Sequence, residues 1–369
     1  MTYAAKNRAG EPTESWAELR VVRHGEAPHQ ALRSAESSST LARSEASILS
    51  PLRYPGSKRR FAGYVRRALE LNGLKPKLFV EPFAGGASVA LQLLNDGLVE
   101  KIGLIDRDPL VAAFWDTVFF DTTWLVERVK RMAVTLRQWK LWSRARPRSR
   151  RQRALKCLFL NRTSFSGIIA PGAGPIGGWA QESNYDVACR FPRKTLIRRI
   201  RQAAQLKDGV EFVWSMSWSA GLARMRQMQQ RGELPEDAFL YMDPPFFEKA
   251  DRLYTYCFAE QQHRELRDHL LSEKSKWILS YDSAARVEEL YGRAPKQVDL
   301  LYSVAAKASQ RQVQEIVLSN LDTLPDQTRL WRRQSEWLST RSQAAIAVAN
   351  GDSGSRPQPL RALGKAAGA

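Results

Sequence analysis

Residues 78–106 read LFVEPFAGGASVALQLLNDGLVEKIGLID, and the order of elements in this stretch decides the fold class. An apolar triplet, Leu78-Phe79-Val80, runs into Glu81-Pro82-Phe83-Ala84-Gly85-Gly86, a turn whose glycines let backbone approach a ligand closely. Residues 88–94 carry a helical pattern, and a second apolar run, 102–105, stops at Asp106. Strand, glycine-rich turn, helix, strand and acid form the opening of a doubly wound α/β nucleotide-binding sheet. Asp106 follows Gly85 by about 20 residues, the distance at which an acid ending the second strand grips ribose hydroxyls. A tight structural turn reads the same way when this segment is taken alone. The turn reads GGASV in place of GxGxxG, which disfavours a dinucleotide pyrophosphate, and GxxxxGK[ST] is absent, which excludes the ordinary P-loop.

Upstream, apolar Phe61, Tyr64, Val65, Ala68 and Leu69 predict a helix that Ser57 can cap and that Gly73 and Pro76 end. Residues 1–50 are rich in Ala, Ser, Glu and Arg without sustained period and read as a linker or disordered arm. Downstream, a helix begins near Pro109. Residues 122–207 are then mostly helical in pattern, broken by the Gly/Pro-rich loop 171–178. After residue 210 the α/β rhythm returns, with strands at 239–242 and 277–280 and helices at 260–271 and 284–291. Two last strands, 298–304 and 315–319, are joined by about ten residues, too few for a helical crossover, so they should pair antiparallel. The expected organisation is a catalytic α/β domain from 51–121 and 208–324, a helical insertion at 122–207, and a polar, flexible tail at 325–369.

Charge singles out the insertion. The 369-residue chain carries 57 Lys+Arg against 38 Asp+Glu, yet residues 128–207 hold 20 of those bases and only two acids, Glu182 and Asp186. The rest of the chain is close to neutral. A block this basic, interleaved with Trp139, Trp142, Phe159, Phe165, Trp179 and Phe191, reads as a folded surface that meets a polyanion, a nucleic acid; the alternative is a solvated face.

Asp243-Pro244-Pro245-Phe246 directly follows an apolar strand. Its two prolines remove two backbone donors and stiffen the chain. They hold a carboxylate, a free carbonyl and an aromatic ring in fixed relation, which suits a planar base with an exocyclic amino group. Asp243 and the Pro244 carbonyl can accept its two N–H bonds while Phe246 stacks on the ring. Taken alone, the sequence is also compatible with a chance turn.

Other classes are excluded or weak. Cys157, Cys189 and Cys257 are odd in number, dispersed and without CxxC, which argues against disulfides or zinc and fits a reducing cytoplasm. No metal site is expected, and His263 and His269 read as surface residues of a polar helix. Trp214 and Trp218, near a strand end, read as core, with a place lining the cofactor pocket as the alternative. No apolar run is long enough to span a membrane, and the N-terminus lacks a secretory core.

At this point the chain resembles the Dam-type family of adenine-specific DNA methyltransferases. The resemblance rests on LRYPGSK (52–58), FVEPFAGGASV (79–89), IDRDP (105–109), LFLNRTSFSGI (158–168), YMDPPF (241–246) and QEIVLSN (314–320), in that order. It implies S-adenosylmethionine as cofactor, contacted by Tyr54, Lys58, Glu81, Phe83, Gly85, Asp106 and Asp243, with Asp106 on the ribose. It implies catalysis by Asp243, Pro244 and Phe246 on a flipped adenine of double-stranded DNA, and a target-recognition region matching the basic block. Arg148, Arg150, Arg151, Asn161 and Arg162 are the expected DNA contacts. A monomer in the cytoplasm, with a restriction endonuclease as possible companion, fits the family. Ala87 stands where the family often has a second Gly, and Phe246 replaces the commoner Tyr. The competing readings are a silent DNA-binding protein of the same fold, a methyltransferase acting on RNA or on protein glutamine, and a basic structural protein. Asp243, where glutamine enzymes carry Asn, argues against the glutamine substrate.

Overall fold

In the computed structural model, described for residues 47–53, 58–246, 256, 258–282, 285–292, 295–303, 310–326 and 330, seven strands form one sheet. They are β1 (Leu78–Glu81), β2 (Lys101–Asp106), β3 (Val210–Ser215), β4 (Ala238–Met242), β5 (Lys276–Asp282), β6 (Lys296–Ser303) and β7 (Gln310–Ser319), in the order β3-β2-β1-β4-β5-β7-β6. The first five pair in parallel. β7 runs antiparallel to β5, with Asp282 opposite Glu315, and β6 pairs antiparallel with β7 as the short connection required.

Alternation along the strands splits the core in two. Phe79, Ile102, Leu104, Phe239, Tyr241 and Ile278 face one side and pack on α1 (Phe61–Leu71), α2 (Ser88–Asn95) and α3 (Pro109–Phe120). Leu78, Val80, Ile105, Leu240, Met242, Trp277 and Leu279 face the other. The helices α8 (Trp218–Gln230), α9 (Glu260–Ser272) and α10 (Ala285–Tyr291) cover them there. The predicted apolar stripe of α1 is buried throughout, but the helix starts at Phe61 after a 3-10 turn, Lys58–Arg60. Ser57, the expected cap, lies outside the described residues. β3 and α8 were not delimited in the sequence; β3 is an edge strand with alternating exposure, and Ser217 caps α8 by accepting from the Ala220 N–H.

Between α3 and β3 the chain forms α4 (Thr122–Arg131), α5 (Leu136–Arg144), α6 (Arg150–Thr163) and α7 (Arg193–Ala204). Leu125, Val129, Ala154, Leu158, Leu196 and Ile200 belong to the same core as α1–α3, so these helices thicken one layer of the sheet domain. Only Trp139, Phe159, Leu160 and Val187 make a separate small cluster. Within the expected arm, 1–50, the described end is packed: Ile48 is buried, Ser47 Oγ and Ile48 N–H donate to Gln92 Oε1 on α2, and Ser50 O accepts from Arg199 on α7.

Candidate functional site

The strand order reverses between β1 and β4, the point at which open α/β sheets leave a crevice beyond the strand ends. One cleft occupies it. Lys58, Glu81, Phe83, Gly85, Asp106 and Asp243, six of the seven expected cofactor residues, all line it. The seventh, Tyr54, lies outside the described residues.

The glycine turn is pinned from three sides. Ala84 N–H donates to Ile105 O at 2.9 Å, Gly85 N–H to Asp106 Oδ2 at 2.8 Å, and Trp115 Nε1 to Gly85 O at 2.8 Å. Gly85 and Ala87 both have positive φ, 43° and 47°. For Ala87 this left-handed geometry costs on the order of 1 kcal/mol that Gly would not incur. Ala87 offers no side-chain cap to α2. Glu81 Oε1 does so from the end of β1, accepting from Ala90 N–H at 2.7 Å. Burial pushes the Glu81 carboxyl up to about 8, against the pull of the Ala90 and Val89 N–H groups.

Asp106 is held on both oxygens, Oδ2 by Gly85 and Oδ1 by Asp108 N–H at 2.8 Å. Burial, then the neighbouring charge of Asp108, pushes its carboxyl up to about 7, while the two N–H bonds pull it down. Each carboxylate oxygen accepts more than one bond, so capacity for a hydroxyl remains. Asp108 caps α3 through Leu110 N–H, with Pro109 opening the helix. Next to them, the Arg107 guanidinium lies 5.1 Å from the Tyr256 ring centre, and both residues line the cleft.

At the end of β4, Asp243 Oδ1 receives Lys58 Nζ at 2.8 Å and Ser280 Oγ at 3.2 Å. Neither bond uses Oδ2. Lys58 is buried and also bonds Glu315 at 3.0 Å, so one ammonium joins the turn before α1, the end of β4 and β7. Ser280 is itself bonded to the Tyr241 hydroxyl at 3.0 Å. Burial raises the Asp243 carboxyl above its ordinary range, and Lys58 and then Ser280 pull it back. Pro244 is buried, and the half-buried Phe246 ring sits 5.8 Å from Lys58 Nζ. Glu315 and Ser280 were not singled out in the sequence. Glu315 carried one signal, an acid inside the apolar run of a strand.

The expected DNA contacts divide into two groups. Arg148 is exposed, Arg150 is ion-paired to Asp116 and Asp121, and Arg151 is ion-paired to Asp121. Asn161 and Arg162 lie inside the protein. Asn161 spends its amide on the backbone of Arg53 and Gly167, a structural clamp in place of the surface contact expected. His263 is also corrected: it is buried, with Nδ1 bonded to the Tyr281 hydroxyl and Phe258 against its ring. Burial pushes it down to about 4, so it is neutral at pH 7. Trp218 both packs in the core and lines the cleft, whereas Trp214 stacks on Phe212. Phe83 meets Phe258 edge-on at 5.7 Å and closes the apolar wall of the cleft.

Among the described residues, no group of His, Cys, Asp or Glu could hold a metal ion, and no helix is long and apolar enough to cross a membrane. A family model, D12 class N6 adenine-specific DNA methyltransferase, matches residues 54–309. No curated protein matches the chain.

Proposed function

The chain belongs to the D12 class of N6 adenine-specific DNA methyltransferases, and on that premise we propose that it methylates the exocyclic amino group of an adenine flipped from duplex DNA, with S-adenosylmethionine as donor. The observation that carries this reading is the Asp243 carboxylate at the end of β4, in one cleft with Asp106 and the glycine turn. The donor set suits the cofactor. Asp106 has acceptor capacity for ribose hydroxyls, Phe83, Phe258 and Trp218 offer apolar surface to a base, and Asp243 offers negative charge to a sulfonium. When bound, S-adenosylmethionine supplies an activated methyl group.

The chain's own work is position and charge. The lone pair of adenine's amino nitrogen is delocalised into the ring, which makes it a poor nucleophile. Asp243 and the Pro244 carbonyl accept its two N–H bonds and favour a geometry in which that lone pair is free to attack. As positive charge grows on the nitrogen, the Asp243 carboxylate stabilises it without reorganising, because Lys58 and Ser280 already fix Oδ1. The raised proton affinity of Asp243 suits a group that meets a positively charged amine. Extruding the base costs a few kcal/mol, offset by stacking on Phe246 and by pocket hydrogen bonds.

Residues 51–121 and 208–324 supply the chemistry in this reading. The segment 122–207 faces the duplex, with exposed cations such as Arg148 on phosphates. The test is to express the chain in a methylation-free host and to read its DNA by modified-base detection. N6-methyladenine in one fixed sequence context is expected. Unmodified DNA, with the protein present and folded, would support the silent DNA-binding alternative.

A further inference from the structure

Beside the cleft, four arginines from distant parts of the chain, Arg53, Arg162, Arg190 and Arg199, converge without a carboxylate partner among the described residues. Asn161, in the last turn of α6, holds Arg53 beside that helix. Its Oδ1 accepts from Arg53 N–H at 2.7 Å, and its Nδ2 donates to Arg53 O at 2.7 Å and to Gly167 O at 3.0 Å. The fit is close enough that a Cβ on Gly167 would lie 2.2 Å from Arg53 O. Arg162, the next residue in α6, is buried and donates Nε to Arg190 O at 2.8 Å. Arg199, on α7, donates Nη1 to Ser50 O at 3.3 Å.

Among the described residues, the hydrogen bonds of the Arg162 and Arg199 guanidinium groups end on backbone carbonyls, and Arg53 is held through its backbone alone. Arg53 Nη1 and Arg199 Nε have no hydrogen-bond partner. The cations disfavour one another. Burial and then Arg53, Arg199 and Arg190 push Arg162 down to about 9, and burial and then Arg190 lower Arg53. Arg150 and Arg151, at the opposite end of α6, have Asp116 and Asp121 as counter-charges. The cluster has the composition of a site whose counter-charge arrives with a ligand.

Position narrows the ligand. Gly167, Ile168 and Ile169 line the cleft, so the clamp that holds Arg53 is part of the cleft wall. Arg53 Nη1 and Arg199 Nε are themselves buried, but Arg53 and Arg199 are only half-buried as residues and Arg190 is exposed, so the cluster opens to the surface. Guanidinium forks match the paired non-bridging oxygens of a phosphodiester. We propose that Arg53, Arg190 and Arg199, backed by the buried Arg162, bind a backbone phosphate of the DNA strand whose base enters the cleft. This rests on the DNA reading above and deepens it: the site fixes the register of the strand, while the outer basic helices add general attraction.

The test compares the full-length parent with the double variant Arg53→Gln/Arg199→Gln, both checked by thermal melting. Binding to a mixed-sequence duplex is titrated against salt. Removing one neutralised phosphate from the interface should lower the slope of log K against log[salt] by about 0.9 and weaken binding at least about tenfold at low salt. The charge-preserving variant Arg53→Lys/Arg199→Lys should recover the slope but only part of the affinity. It also serves as the folded comparison if the Gln variant melts early. A slope and affinity equal to the parent's would overturn the proposal. So would inorganic phosphate displacing duplex from the parent at equal phosphate concentration, because the site would then take free phosphate. If the duplex binds through the cluster but no methyl is transferred, the methyltransferase reading fails and this one stands. A parent that binds no duplex refutes both.

Discussion

The cleft at the strand ends and the helical flank beside it treat buried charge in opposite ways. The cleft gathers carboxylates: Glu81, Asp106, Asp108 and Asp243 line it, and Lys58 is fixed between Asp243 and Glu315. Desolvation raises Glu81 to about 8 and Asp106 to about 7. In the flank the same desolvation, joined by neighbouring cations, lowers Arg162 to about 9. Each acid in the cleft is held by backbone N–H groups or by Lys58, whereas the Arg162 cluster is held by carbonyls and keeps donors unspent. The difference teaches that the cleft is a preorganised pocket of carboxyl acceptors whose proton affinity burial raises, suited to ribose hydroxyls and to an amine that gains charge. The flank, by contrast, is suited to a polyanion.

The comparison can be broken most sharply at its one shared cation. Lys58→Met leaves Asp243 and the buried Glu315 without their ammonium. Stranding a buried charge in this way costs about 3–5 kcal/mol. Denaturant unfolding should show that loss, and Lys58→Met/Glu315→Gln should regain part of it. A Lys58→Met variant as stable as the parent would mean that Lys58 is incidental to the pocket.

A smaller effect is expected at Asp106. Asp106→Ala should weaken S-adenosylmethionine binding by about 1.5–3 kcal/mol, the range for a hydrogen bond to a charged group. With the parental carboxyl near 7, affinity should rise between pH 6 and 8 as the proton leaves and the oxygens become stronger acceptors. The variant should lack that rise. Because the folded state holds this proton more tightly than the unfolded chain, the group's contribution to stability falls as pH rises from about 4 towards 7. Calorimetric affinities that are flat with pH in the parent would place the ribose contact elsewhere.

The least change is expected in the flank's paired arginines. Substituting Arg148, Arg150 and Arg151 together should weaken all DNA sequences about equally and lower the salt slope by about 0.9 for each phosphate that is no longer neutralised. Arg150 and Arg151 are already neutralised by Asp116 and Asp121, so most of that change should come from Arg148. A slope unchanged by the triple variant would remove this face from the interface.

What was legible in the sequence was local. The glycine turn, Asp106 and the Asp-Pro-Pro-Phe turn follow apolar strands directly, so strand ends and spacing placed them at one edge of the sheet. Glu315 was not legible as a site residue because its bond to Lys58 spans 257 positions and depends on the antiparallel return of β7. His263 was misread from the polar composition of α9; its own face of that helix, with Leu266 and Leu270, is buried. Asn161 looked like part of a basic helix end because nothing in sequence reveals that its amide clamps Arg53, 108 residues away.

The central claim rests on Asp243, and single-turnover transfer of labelled methyl to adenine in duplex DNA tests it most directly. Asp243→Ala should cut that rate by at least about 10²–10³-fold, comparable to removing one preorganised electrostatic group, while duplex binding, measured separately, survives. A variant that methylates at near the parental rate would contradict the account, because the carboxylate at the end of β4 would then not be the catalytic group.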